Sequence, residues 1–79
     1  MKVSNIPTEI FNQIIKELRS QGWRKTEEYD KMDAWIDYGM VVLEKSDASL
    51  RFEWDNWIEG AVDGPDTIVQ EIRDKYSLK

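Results

Sequence analysis

The side chains in this sequence that could do chemistry are carboxylates, because histidine and cysteine are both absent. That absence removes the usual general base at neutral pH, every Ser-His or Cys-His nucleophile pair and the common transition-metal ligands. Three carboxylates, Glu53, Asp55 and Glu59, fall close together around Trp57. Such groups can divide acid and base roles when an apolar cleft raises the pKa of one of them. A chain of 79 residues has little apolar wall to spare for such a cleft, so the sequence argues against an enzyme and calls for no cofactor. Asp63, Asp66 and the Asp55–Glu59 segment offer oxygen donors for calcium. Their spacing departs from the twelve-residue loop with alternate acids and a sixth-position glycine, so no metal site is assigned.

The same residues read better as a binding surface. The stretch from Glu53 to Asp66 holds five acids and no lysine or arginine, whereas the rest of the chain carries eleven of each sign. The whole net charge of −5 therefore sits in one segment. A field of that sign repels phosphate backbones and speeds encounter with basic surfaces at rates that fall with salt. Nucleic acid is disfavoured as a partner, since it requires a basic stripe. Trp57, Glu53, Asp55 and Glu59, expected together on the open sheet face, have the make-up of an anchor for a basic protein partner, in the manner of a small inhibitor or interaction module. A homodimer formed through an edge strand or an open sheet face is a second reading, and a small-ligand carrier or carboxylate enzyme a third.

The elements that must position these residues are legible from periodicity. Phe11, Ile14, Ile15 and Leu18 recur at helical spacing within Pro7–Gln21, with Thr8 as N-cap or Pro7 as first residue and Gly22 as a left-handed stop. Beyond it the helical period gives way to short β runs. Trp23–Tyr29, rich in charge, reads as an edge strand; after the loop Asp30–Asp33, Ala34–Tyr38 and Met40–Lys45 read as strands meeting at Gly39. Ser46–Ala48 turns the chain into Ser49–Trp54, where Leu50, Phe52 and Trp54 alternate with Arg51 and Glu53. A further strand, Ile58–Val62, follows the Asp55-Asn56 turn. A three-residue loop there, pairing Trp54 with Ile58, Phe52 with Gly60 and Leu50 with Val62, keeps Glu59 out of the core and leaves Trp57 beside the turn. The chain closes with a helix started by Asp63–Asp66 and carrying Ile68, Val69, Ile72 and Tyr76 on one face.

These elements predict one α+β domain over residues 1–79. An antiparallel sheet of three to five strands lies between an N-terminal and a C-terminal helix, both packed on one face of the sheet, in α-β-β-β(-β)-α order. Trp35 and Trp54 fall in strand patterns and are expected in the core, with Trp23 wedging helix against sheet. No internal repeat or signature motif emerges. No run approaches the roughly 18 apolar residues of a membrane span, and Met1–Ile6 lacks a signal-peptide core, so the expected location is the cytoplasm.

Overall fold

A computed structural model describes residues 1–32 and 34–78 of the chain. The elements run β1 (Lys2–Ile6), α1 (Thr8–Ser20), β2 (Arg24–Glu28), β3 (Tyr38–Lys45), β4 (Ala48–Asp55), β5 (Glu59–Asp63) and α2 (Asp66–Lys75). All five strands join one antiparallel sheet in the order β1-β5-β4-β3-β2. The α+β class and the two flanking helices are as expected, with one addition: a strand precedes the first helix. Only Val3 and Ile6 of β1 are buried, three residues apart, because Asn5 takes a left-handed φ of 58° where the ladder slips against β5. That bulge destroys the two-residue alternation by which a strand is read.

Placing β1 and β2 on opposite edges requires α1 to cross the sheet between them. Four strand spacings amount to about 19 Å, and thirteen helical residues extend about 20 Å, so the helix has the length the crossing needs. One cluster of buried side chains results. It draws Phe11 and Ile14 from α1, Val69 and Ile72 from α2, and Val3, Ile6, Val41, Leu43, Leu50, Phe52 and Val62 from one face of the sheet. Trp23, directly after the left-handed Gly22, is buried in the same cluster. Both helices thus cover one face, and neither covers the other.

The β3–β4 hairpin turns on Ser46 and Asp47, with Lys45 opposite Ala48. The β4–β5 hairpin departs from expectation by two residues: Asp55 pairs with Glu59, Trp54 with Gly60 and Phe52 with Val62. A shift of two preserves the faces, so Leu50, Phe52 and Val62 stay buried, while Ile58, expected opposite Trp54, moves into the loop. Two local causes set it. The Asp55 carboxylate accepts hydrogen bonds from the Trp57 and Ile58 amides at 2.8 and 2.9 Å, which moves the loop to Asn56–Ile58. Gly60 is also placed under the Phe11 ring, where a Cβ would lie 2.4 Å from ring carbon.

Ala34–Tyr38, expected as a strand, is instead a turn held by a single bridge between Ala34 and Tyr38, and Asp33 before it lies outside the described residues. Trp35 there has a left-handed φ of 62° and folds its indole over Gly39, whose missing Cβ would meet ring carbon at 2.2 Å. Gly39 is therefore the seat of an indole inside β3 rather than a junction between two strands. Trp35, expected in the core, rests on its margin 38% exposed, its ring centre 6.2 Å from that of Phe11.

The Phe11–Gly60 contact makes a stability prediction. Gly60→Ala should lower the unfolding free energy by about 1–3 kcal/mol, the usual cost of overfilling a packed site. Combined with Phe11→Leu the loss should be smaller than the sum of the two single losses, as urea unfolding of all three variants can measure.

Candidate functional site

The four residues singled out from the sequence do not converge on one surface. Glu53 lies on the face of β4 that neither helix covers. There the Tyr38 hydroxyl donates to its Oε2 at 2.9 Å, and the Arg51 Nε stands 3.3 Å from its Oε1. Burial, and then the Glu53 carboxylate that accepts its proton, hold the Tyr38 phenol above its ordinary pKa. The Tyr29 ring meets Tyr38 edge-on with centres 5.0 Å apart. Val42 and Ala61 share this face by register yet are buried. The uncovered face is thus screened by its own polar side chains and offers no apolar platform.

Asp55 is occupied as the acceptor that shapes the β4–β5 loop. Glu59 turns to the other side of the molecule. Pro7 occupies the cap position of α1 and supplies no side-chain cap, and Thr8 is the first helical residue. Glu59 Oε2 takes the Thr8 amide at 2.6 Å and the Thr8 hydroxyl at 2.8 Å, while the Trp54 indole N–H donates to that same hydroxyl at 2.9 Å. A carboxylate borrowed from β5 therefore caps a helix that lacks its own cap, at the positive end of its dipole. The hydroxyl and then the amide of Thr8 hold the Glu59 carboxyl below its usual pKa.

Trp57 alone is left fully available: it projects from the Asn56–Ile58 loop 93% exposed. Its surroundings are what sequence reasoning missed. Ile58 is 43% exposed, and the β2–β3 loop at the same end of the sheet presents Ile36 at 65% and Met32 at 100%. The two loops touch, since the Asn56 side-chain amide donates to Asp37 Oδ1 at 2.9 Å. Asp37 accepts that bond, and Asp55 closes the base of the Trp57 loop. One signal in the sequence marked the pairing. Trp35-Ile36-Asp37 and Trp57-Ile58-Glu59 are the same apolar-apolar-acid triplet, each soon followed by a glycine that an aromatic ring covers.

Family models, curated proteins and solved structures give no match to this chain. The site is therefore judged on its geometry. Among the described residues no cluster of three or more potential ligands is placed to hold a metal ion, and no helix is long and apolar enough to cross a membrane. Glu53 and Glu59 are engaged by different partners on different sides of the sheet, which leaves them unsuited to share a proton. The arrangement that is free to act is an apolar tip with carboxylates around it.

Two measurements follow. Because the folded-state pKa of Glu59 is depressed, its contribution to stability is present above the ordinary value of 4.5 and is lost as pH falls below that through the folded value. The melting temperatures of wild type and Glu59→Gln should therefore differ at pH 7 and approach each other in acid; parallel curves down to pH 3 are the contrary result. Trp57→Ala, in contrast, should change unfolding free energy by no more than about 0.5 kcal/mol, as for a surface substitution. It should also remove the tryptophan emission most readily quenched by acrylamide.

Proposed function

We propose that this protein is a non-enzymatic interaction module of the cytoplasm that docks a basic partner protein through the loop tip formed by Met32 and residues 34–37 and 56–58. The single observation that carries this reading is the exposure of Trp57 and Ile58 in one loop and of Ile36 and Met32 in the loop it touches. Large apolar side chains gathered in this way add nothing to the core and raise the tendency to associate, so their presence together at one end favours a contact role. Tryptophan at the centre of such a patch, with polar groups around it, has the composition of a binding hot spot.

The charge of the patch indicates the sign of the partner. Asp37 lies within the tip and Asp55 at its margin, and among the described residues neither is ion-paired with a base. A partner with an apolar pocket rimmed by lysine or arginine complements it, with association that slows as salt rises. Edge-strand dimerisation receives less support, because both edges are blunted. β2 slips in register after Lys25 and carries Arg24, Lys25, Glu27 and Glu28, while β1 contains the Asn5 bulge.

The test uses a photo-reactive amino acid at position 57, with position 47 in the opposite hairpin as reference. A partner crosslinked from 57 and not from 47 should bind Trp57→Ala at least about thirtyfold more weakly, the roughly 2 kcal/mol that defines a hot spot. Its association rate should also fall steeply with ionic strength. Equal affinity of that partner for wild type and Trp57→Ala, measured by calorimetry, sinks the reading.

A further inference from the structure

The helix-covered side of the molecule holds a second feature, which shares only Trp35 with the tip. At the start of α1, Trp35 and Trp54 line a cleft of about 150 Å³ together with Phe11, Thr8 and Asn12. Phe11 is buried and Asn12 is exposed. Both indoles are fixed through their N–H groups, which leaves as the available chemistry the ring surface that does not rest on Gly39. Trp35 Nε1 donates to Glu28 Oε2 at 3.0 Å, and Trp54 Nε1 donates to the Thr8 hydroxyl, which itself donates to Glu59. Ring faces carry negative potential and attract cations, and a nearby carboxylate adds to that field.

The two carboxylates differ in what they have left to offer. Glu28 is paired with Lys25 at 2.7 Å, whereas among the described residues no cation pairs with Glu59. Glu59 thus stands at the edge of an aromatic cleft with an unneutralised charge, one hydrogen bond from a side chain that lines it. A bare ammonium is strongly hydrated and poorly matched to flat rings. A guanidinium is planar, weakly hydrated, stacks on indole and pairs with carboxylate.

We propose that the Trp35–Trp54 cleft is a subsite for an arginine side chain, with the guanidinium against the indole faces and its charge balanced by Glu59. The site stands on its own geometry; only the origin of the arginine, a basic partner protein, rests on the docking reading above. Trp35 belongs to the same loop as Ile36, so a partner seated on the tip is near enough to contribute such a side chain.

The test follows the four indole N–H signals of ¹⁵N-labelled protein during titration with Nα-acetyl-arginine amide. The neutral isostere Nα-acetyl-citrulline amide is the reference, at fixed ionic strength. The Trp35 and Trp54 signals should shift saturably, with citrulline bound about two- to fivefold more weakly, the range of an exposed cation–π contact. Glu59→Gln should weaken arginine and leave citrulline unchanged. Asn12→Phe, at an exposed helical position beside the cleft, should abolish both responses while the melting temperature holds. Equal binding of arginine and citrulline, a response confined to Trp57, or shifts that survive Asn12→Phe each overturn the proposal. The docking reading is unaffected by any of these results, because it turns on Trp57→Ala and the crosslinked partner.

Discussion

The contact on which the rest of this structure depends is the seating of Phe11 on Gly60. One aromatic ring rests where a strand has no side chain, so α1 can approach the sheet closely at its N-terminal end. From that point the helix crosses toward β2, and its buried residues meet those of three other strands. The same ring touches Phe52 at 5.9 Å and Trp35 at 6.2 Å between centres, so it joins the core to the loop that carries the tip. A dispersion contact is weak atom by atom, and its value here lies in being shared by four elements at once. Moving the ring displaces the helix start and the Trp35 loop together.

Around that contact, polar groups do structural work that composition alone suggested was functional. α1 begins without a capping side chain of its own, and an uncapped helix end leaves amides without partners. Glu59 fills this need from across the fold and fixes Thr8, which in turn receives the Trp54 indole. Glu53 is likewise taken up by Tyr38 and Arg51, and Asp55 by its own turn. Much of the acidic segment is therefore scaffold. Among the described residues Glu53 faces Arg51, and Asp63 and Asp66 face the Met1 ammonium, so the charges left without an ion-pair partner are those of Asp55 and Glu59.

Legibility in the sequence followed the range of the interaction. Both helices, the Gly22 stop and the β3–β4 hairpin are set by neighbours a few residues apart, and periodicity and turn chemistry located them. β1 was not legible, because a bulge removes its alternation and because its partner β5 lies more than fifty residues away. The β4–β5 register missed by two residues for a related reason: Gly60 is selected by Phe11, which no local pattern connects to it. Trp35 was misplaced by its β propensity, which the left-handed turn over Gly39 overrides. For the candidate site, the exposure of Trp57 was legible because its place outside the apolar stripe of the β4–β5 hairpin is a local argument. Its companions Ile36 and Met32 come from another loop, and only the fold brings them near.

The distribution of apolar surface gives the remaining argument for where this molecule makes contact. Its two sheet edges are broken by bulges and, in β2, lined with charge, and its uncovered face is closed by Arg51, Glu53 and Tyr38 over Val42 and Ala61. Each of these devices keeps a sheet from recruiting strands or burying its open side on another surface. Among the described residues, the end bearing Met32 and residues 34–37 and 56–58 shows no such device; there five large apolar side chains, Met32, Trp35, Ile36, Trp57 and Ile58, reach solvent. A small domain that shields its edges and face while leaving one end bare is organised to be met from that end. The fixed indoles of Trp35 and Trp54 just behind it extend the same end onto the helix side. In that geometry the aromatic residues that complete a thin core also define the outline of the surface presented to a partner.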